Sequence, residues 1–337
     1  DTRSNHPKRR TDPKPRSPNA TSTQPRPNAP GLMLWLGVDM GGTGTRWALR
    51  DADRTTIARG ALGGGTGAPD PALRAAFVRT LRNLADALPG APAGAVLGLT
   101  GSGLTPDTDL IAATAQALSL PETCIWVMND MQLAGHTAFG HAQSGHLIAA
   151  GTGSVGLHKA ADGQMHIIGG RGILIDDAGS GAWIGLQALK ALWSRIEETG
   201  APTGMEGLAA HLFAALGGTD WDTTLRWVYG GDRGGIAALA PAVAAAAGDG
   251  DETALALLTR AGQELARLGR VLIQRFGPAP VVAFGGVFSL HPAVTRAVQD
   301  ALAPTPITFP ALDFAAHAAT LAQTRFANQT PFAPEDT

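Results

Sequence analysis

The 337-residue chain has a single cysteine, Cys124, and lacks any apolar run that approaches the length of a membrane span. One thiol excludes disulfides within the chain and fits a reducing compartment. A spanning helix needs roughly 18–20 consecutive apolar residues, and the continuous apolar segment of a secretory signal is missing as well. We therefore expect a soluble, cytoplasmic protein that has no membrane partner.

The first thirty residues lack large apolar side chains and contain seven prolines. Such a segment cannot bury enough apolar surface to order itself. We therefore expect residues 1–31 to be a disordered tail and the native chain to begin near Met33. These thirty residues hold seven of the 26 Lys and Arg and two of the 28 Asp and Glu, so the rest of the chain has a net charge of −7. An acidic body argues against nucleic acid as a partner.

The body of the chain opens with an apolar run, 34–38, that leads to Asp39 and a glycine-rich corner. Glycine has no Cβ, so the backbone N–H groups of such a corner can approach a ligand closely, and phosphate oxygens suit them. Asp39 lies where a carboxylate can hold a metal ion against a polyphosphate. The candidate phosphate-binding residues of this corner are Gly41, Gly42, Thr43 and Thr45.

Two other glycine-rich phosphate motifs do not fit this corner. A Walker A loop needs a lysine after its last glycine, and a dinucleotide fingerprint needs a helix to follow. No lysine follows Gly44, and the next residues, TRWAL, predict a strand. A phosphate-binding hairpin and an ordinary hairpin with a glycine-rich turn both remain open from this motif alone.

The spacing of apolar residues predicts a three-stranded meander followed by alternating helices and strands. The third strand is expected at 55–62, helices at 70–88 and 107–118, and further strands at 96–99 and 125–128. This order builds a mixed sheet with helices on its faces. Polar residues at the carboxyl ends of such strands point into the crevice where ligands bind. Asn129 and Asp130 occupy such a position, although Asp130 could instead simply cap the next helix.

The opening pattern then repeats, with strands at 146–150 and 155–158 around a corner that consists of Gly151, Thr152, Gly153 and Ser154. Two such hairpins on duplicated domains could clamp a polyphosphate from both sides. A loop at 169–185 contains Asp176 and Asp177 just before a helix. Several short helices are expected at 205–248, a long one at 252–275, a strand at 281–284 that ends in Gly285 and Gly286, and final helices at 291–302 and 312–326.

Five segments in this order resemble the BadF/BcrA-type ATPases of the actin and hexokinase superfamily, and most closely their N-acetylglucosamine and glucosamine kinases. The segments are VDMGGTGT, VMNDMQLA, AAGTGSVG, GGRGILIDDAGSGAWIG and VVAFGGV. The resemblance covers residues 33–327 and implies an α/β, two-lobed, actin-like (ribonuclease H-like) fold, in which each lobe is a mixed five-stranded sheet flanked by helices. We expect the N-terminal lobe at 32–140 and the C-terminal lobe at 141–330, with the last helix packing back on the first lobe.

The resemblance further implies a kinase that uses ATP and Mg²⁺ to phosphorylate the 6-hydroxyl of N-acetylglucosamine or glucosamine, with a homodimer left open. Asp39 matches the metal-associated aspartate and Asp130 the catalytic base. The two glycine-rich corners match the phosphate-facing turns, and Gly285 with Gly286 matches the adenosine motif. The positions expected on the sugar side are Ser102, Asn129, Gly170, Arg171 and Asp177.

The sequence departs from the family pattern in the loop at 169–185, which is the predicted sugar loop. Arg171 replaces the usual tryptophan of acetylglucosamine kinases, which resembles the glucosamine kinases, and the extra carboxylate of Asp176 would suit an ammonium group. The sugar is therefore open between the two. One alternative function is the activator ATPase of acyl-CoA dehydratases, whose cluster takes four cysteines across a dimer, whereas this chain has one. The other is a non-catalytic sugar sensor, which would need a helix-turn-helix that the tail does not predict.

Overall fold

A computed structural model describes residues 33–140 and 142–327, so the predicted tail lies outside the described residues. The first sheet consists of β1 (Trp35–Met40), β2 (Gly44–Arg50), β3 (Thr56–Gly63), β4 (Gly94–Leu99) and β5 (Ile125–Asn129). Their order is β3-β2-β1-β4-β5. The first three strands form an antiparallel meander, whereas β4 and β5 run parallel to β1. Parallel neighbours need crossover connections, which α1 (Pro71–Ala87) and α2 (Thr108–Leu118) provide.

The second sheet repeats this connectivity. It consists of β6 (Gly145–Ala150), β7 (Ser154–Lys159), β8 (Met165–Gly169), β9 (Val281–Phe284) and β10 (Ile307–Thr308), in the order β8-β7-β6-β9-β10. Again the first three strands are antiparallel and the last two are parallel to the first. The duplicated two-sheet α/β fold is thus confirmed. The apolar pattern of the sequence predicted neither β8, most of whose residues are half-exposed, nor β10, which has only two residues.

The remaining helices follow the predicted order. They are α3 (Asp130–Phe139), α4 (Gly181–Thr199), α5 (Glu206–Leu216), α6 (Trp221–Gly230), α7 (Arg233–Ala237), α8 (Ala240–Gly248), α9 (Glu252–Phe276), α10 (Pro292–Leu302) and α11 (Phe314–Phe326). The long helix α9 buries one leucine-rich face, including Leu258, Leu265 and Leu268, in the core of the second half. Within the part of the chain that the structure describes, no helix combines the length and apolarity that a bilayer crossing requires.

Helix α3 lies between the two sheets. Leu133 packs with Trp35 and Val96 of the first sheet, while Met131 on another face packs with Leu147 of the second. Because both sheets contact this short helix, its position is fixed from two sides. The first residue of the helix, Asp130, is therefore held in place by packing that involves both halves of the molecule.

The last helix, α11, packs on the first sheet although it follows the second in the chain. Buried alanines on α11, including Ala315, Ala318 and Ala319, lie against β1 and its neighbours. The helix comes so close that a methyl group at Gly37 in β1 would overlap the backbone of Ala315 and Ala319. The close approach of α11 to β1 thus requires small residues on both elements. Helix α11 packs along the length of β1.

Candidate functional site

The carboxyl ends of three parallel strands meet at one edge of the first sheet. Met40 at the end of β1 pairs with Leu99 of β4, and Leu99 pairs with Asn129 of β5. The side chains of Asp39, Thr100 and Asp130 therefore emerge next to one another. This edge also supports the first glycine-rich corner, which directly follows β1.

The carboxylate of Asp130 is half-buried and has two donors. The Thr100 hydroxyl donates to Oδ2 at 2.6 Å, and the Met131 N–H donates to Oδ1 at 2.8 Å. Helix α3 does not depend on Asp130 as its cap, because Asn129 forms a complete capping box with Gln132. The alternative that Asp130 simply caps the helix is therefore wrong, since it is the first helical residue and the preceding Asn129 is the cap.

Asp39 is an acid whose ionisation is disfavoured by its surroundings. The pKa of Asp39 is raised to about 6, chiefly by burial and next by the negative charge of Asp130; Asp313 adds to the rise and Arg46 opposes it. Two neighbouring carboxylates, one of them desolvated, suit a hard divalent cation. No group of three or more His, Cys, Asp or Glu capable of holding a metal occurs within residues 33–140 and 142–327. Mg²⁺ fits this donor set, because it is usually bound by one or two carboxylates together with substrate phosphates and water.

The first corner is a tight turn of exposed backbone. Gly41 N–H donates to Gly44 O at 2.9 Å, and Gly41 O accepts from Gly65 N–H at 3.0 Å. Gly42 and Thr43 are exposed, whereas a Cβ at the underlying Gly64 would overlap the backbone of Gly42. The corner therefore packs against Gly64 on one side and is exposed on the other.

Thr45 differs from what the phosphate motif suggests. Its side chain is buried, and its hydroxyl donates to Gly63 O in the neighbouring strand at 2.9 Å. The sequence could not indicate this bond, because it depends on the register of β2 against β3. We do not include the Thr45 hydroxyl among the proposed phosphate contacts.

The second corner is held by the start of α4. Gly181 N–H donates to Gly151 O at 2.8 Å, and Ala182 N–H donates to Thr152 O at 3.2 Å. Ser154 is buried, and its hydroxyl donates to Ala178 O at 2.9 Å. The N–H groups at the start of α4 and the Ser154 hydroxyl are thus engaged in positioning the corner. Gly151 N–H also donates to Gly153 O at 2.9 Å across the turn, so Gly151 presents an exposed surface to a ligand but not its N–H.

The predicted adenosine motif lies beside this second corner. Gly285 has a φ of 113°, a conformation that side chains other than glycine rarely adopt, and a Cβ there would overlap the backbone of Ala150. Ala149 pairs with Phe284 at the end of β9. Gly286 has open space around its Cα. The structure therefore brings Gly285 and Gly286 together with the corner at 151–154.

Asp177 lies beneath the second corner with only 2% of its surface exposed. Its Oδ1 accepts from Ser154 N–H at 3.3 Å. Among the residues that the structure describes, its Oδ2 has no hydrogen-bond partner, and the Arg233 guanidinium of α7 lies 3.8 Å from it. A buried acceptor left unpaired is costly, so this oxygen is suited to a donor from a ligand. Arg233 was missed by sequence reasoning, because it lies in an Ala-rich stretch without a motif.

The other predicted sugar-side residues fall into two sets. Ser102 and Asn129 are engaged with each other and with the backbone, since the Ser102 hydroxyl donates to Leu99 O and the Asn129 amide donates to Ser102 O. Gly170 and Arg171 are exposed on the loop after β8. In the same loop, Asp176 is paired with Arg267 of α9 at 3.5 Å. The carboxylate that would suit an ammonium group therefore already has a cation beside it.

The predicted residues thus form two groups. One contains Asp39, Asp130 and the first corner, with Ser102 and Asn129 supporting it. The other contains the second corner, Gly285, Gly286 and Asp177. Within residues 33–140 and 142–327, no hydrogen bond or ion pair joins one group to the other, so a ligand that uses both has to span them.

Replacing Asp39 with asparagine is expected to stabilise the protein at pH 8 and to abolish turnover. A native pKa of about 6 against 3.8 unfolded means that this group's contribution to stability is lost as pH rises from about 4 to 6. The difference of about two units corresponds to at most ~3 kcal/mol, because one unit is about 1.4 kcal/mol. Urea unfolding at pH 4 and pH 8 measures it, with the exposed Asp109→Asn as control. An equal stability difference between wild type and Asp39→Asn at both pH values would contradict the assignment.

The protein has the actin-like ATPase fold. Its two five-stranded sheets have the same connectivity, and each has a glycine-rich corner after its first strand. The chain belongs to the BadF/BadG/BcrA/BcrD ATPase family, whose sequence model matches residues 36–308. That match covers both sheets. It confirms the family that the five sequence segments indicate.

A curated relative is the N-acetylmuramic acid/N-acetylglucosamine kinase of Clostridium acetobutylicum, which is 28% identical over 171 residues. The alignment covers 50% of this chain and 54% of the relative, so the chain spans about half the length of the curated relative that it matches. Among solved structures, a protein of Chromobacterium violaceum provisionally named N-acetylglucosamine kinase has a TM-score of 0.66 and 28% identity, over 87% of this chain and 100% of that one.

More distant structures share the fold alone. A ROK family glucokinase from Streptomyces griseus, solved with glucose and AMPPNP, has a TM-score of 0.55 at 17% identity. The match covers 89% of this chain and 100% of the glucokinase. A ROK family transcriptional regulator also matches, with a TM-score of 0.54 at 14% identity. Proteins with this fold thus include kinases and regulators, and the function has to be argued from the site.

Proposed function

We propose that the chain transfers the γ-phosphoryl group of ATP to the 6-hydroxyl of N-acetylglucosamine or glucosamine. The observation that supports this most is the half-buried carboxylate of Asp130, oriented by two donors beside Asp39 and the first glycine-rich corner. Phosphoryl transfer needs positioning and charge stabilisation more than covalent chemistry from the protein. A base, a metal-binding carboxylate and backbone donors are sufficient for it.

In the proposed reaction, Asp130 accepts the proton from the sugar 6-hydroxyl as that oxygen attacks the γ-phosphorus. The bond between sugar oxygen and phosphorus forms while the bond between phosphorus and the ADP oxygen breaks, and the products are sugar 6-phosphate, ADP and a proton. Asp39 would hold Mg²⁺, directly or through water. Bound Mg²⁺ would neutralise charge on the β- and γ-phosphate oxygens.

The nucleotide would span the two groups of residues. The exposed residues Gly42 and Gly151, with the hydroxyls of Thr43 and Thr152, would lie against the phosphates. The N–H groups of Gly41 and Gly151 keep the two turns closed by donating to Gly44 O and Gly153 O. The bare backbone at Gly285 and Gly286 would allow the adenosine to lie close to the second sheet. Closure of the two halves on ATP would exclude water from the reacting phosphate and so limit idle hydrolysis.

The charges around the sugar loop support the acylated sugar over the cationic one. Asp176 is already paired with Arg267, and Asp177 has Arg233 nearby. Arg171, on the loop itself, adds a third guanidinium to those of α9 and α7, so an incoming ammonium group would meet three cations and two carboxylates. Asp177 Oδ2 would accept a hydrogen bond from a sugar hydroxyl. The names of the relatives point to the same class of sugar.

The test is ADP release, coupled to a dehydrogenase and measured with purified protein, MgATP and one sugar at a time. The panel is N-acetylglucosamine, glucosamine, glucose and N-acetylmuramate, with a sugar-free reaction as control. We expect sugar-dependent turnover that is highest with N-acetylglucosamine, and a 6-phosphate product by NMR.

Two results would favour the alternatives. ATP hydrolysis that no sugar accelerates, in a protein that contains iron, would indicate an activator-type ATPase. Sugar binding without turnover would indicate a sensor. The cytoplasmic location and the homodimer stay predictions.

A further inference from the structure

Thr100 is the first residue after β4 and occupies the position between the first corner and Asp130. Its N–H donates to Met40 O at 3.0 Å, which ties it to the residue that follows Asp39. Its carbonyl accepts from Gly67 N–H at 2.9 Å and from the Thr66 hydroxyl at 2.8 Å. The backbone of Thr100 is therefore fixed by three hydrogen bonds to two neighbouring segments.

The side chain of Thr100 is directed by this fixed backbone. Its hydroxyl donates to Asp130 Oδ2 at 2.6 Å, at the short end of the range for O–H···O hydrogen bonds. The other Asp130 oxygen, Oδ1, accepts from Met131 N–H within the same helix. Through the Thr100 hydroxyl, the Asp130 carboxylate is therefore tied to the end of β4 in the first sheet.

We infer that Thr100 is a positioning residue for the proposed phosphoryl transfer, which holds the Asp130 carboxylate in the rotamer that meets the sugar 6-hydroxyl. This inference rests on the proposed function. The hydroxyl makes no contact with the reacting atoms in this role. It restricts rotation of the carboxylate about its Cα–Cβ and Cβ–Cγ bonds.

The test compares Thr100→Val, which keeps the shape and removes the donor, with Thr100→Ser, which keeps the donor. We expect Thr100→Val to lower kcat about 10- to 100-fold, the scale of a small misplacement of a reacting group, with the KM for ATP nearly unchanged. Thr100→Ser should restore most of the activity. Thr114→Val is the control, since the Thr114 hydroxyl is buried in α2 and donates only to Leu110 O.

A double-mutant cycle separates this role from a general structural one. If Thr100 acts through Asp130, Thr100→Val causes no further loss of kcat in an Asp130→Asn background. A loss of the same factor in both backgrounds would overturn the inference, as would a Thr100→Ser variant as slow as Thr100→Val. The measurements use MgATP and the sugar of the panel with the highest kcat/KM. If Thr100→Val does not fold, Thr100→Ala replaces it, because alanine also lacks the donor and needs no extra space.

The failure of this inference can be distinguished from the failure of the proposed function. An inactive Asp130→Asn with a fully active Thr100→Val would remove only the positioning role. A fully active Asp130→Asn would remove the assigned base, and the positioning role with it. An inactive Asp130→Asn, a slowed Thr100→Val and a rescued Thr100→Ser together would support both.

Discussion

Asp130→Asn is expected to lower kcat by about 10²–10⁴-fold, the usual contribution of a general base. Asparagine has nearly the same shape as aspartate, and its carbonyl oxygen can still accept from the Thr100 hydroxyl or the Met131 N–H. Its amide cannot accept the proton of the sugar hydroxyl. The coupled ADP assay with the preferred sugar measures the loss.

Nucleotide binding should survive the same substitution. Calorimetric titration with AMPPNP and Mg²⁺ is expected to give an affinity within a few fold of wild type, because Asp130 is assigned to the sugar hydroxyl rather than to the phosphates. Asp109→Asn provides the matched control, since Asp109 is exposed in the first turn of α2. Turnover of Asp130→Asn within about tenfold of wild type would remove Asp130 from the mechanism.

Gly37→Ala is expected to destabilise the protein by about 3 kcal/mol or more, at the high end for one added methyl group. The methyl group would overlap the backbone of Ala315 and Ala319, which cannot rotate away as a side chain can. The helix α11 would have to move off β1, and buried alanine surface would be exposed to water. Urea denaturation followed by circular dichroism measures the change.

Gly63→Ala is the control for this prediction. Gly63 ends β3 in the same sheet, and a Cβ there would have open space around it. We expect its effect on the free energy of unfolding to be within about 1 kcal/mol, the scale of propensity differences in strands. Equal stability of Gly37→Ala and Gly63→Ala would show that α11 does not pack on β1 in solution.

The site was predictable from sequence where it depends on residues close in the chain. The corner at Gly41 and Gly42, the corner at Gly151, and Asp130 after β5 each follow from a strand that ends in glycine or polar residues. Side-chain partners were not predictable. The Thr45 hydroxyl donates to a carbonyl 18 residues away, and the Ser154 hydroxyl donates to one 24 residues away. Two of the expected phosphate donors therefore have other partners.

The charges near the sugar loop show the same limit. No cation next to Asp176 in the sequence indicates a partner for its carboxylate. In the structure, Arg267, which lies 91 residues further along the chain, is beside it. Arg233 lies near Asp177 although nothing in its own segment marks it. The sequence left the two sugars open, and these ion pairs are the reason that the proposed function favours the acylated one.

The amino-acid sequence by itself determined the family, the class of fold and the positions of the two corners. Strand and helix formation depend on apolar spacing, caps and glycines within a few residues, and all of these are visible along the chain. The tertiary structure decided which hydroxyls and carboxylates keep a free oxygen, and it placed Thr100 on Asp130. Such pairings depend on strand register and on helix packing between distant segments, and no local pattern encodes them.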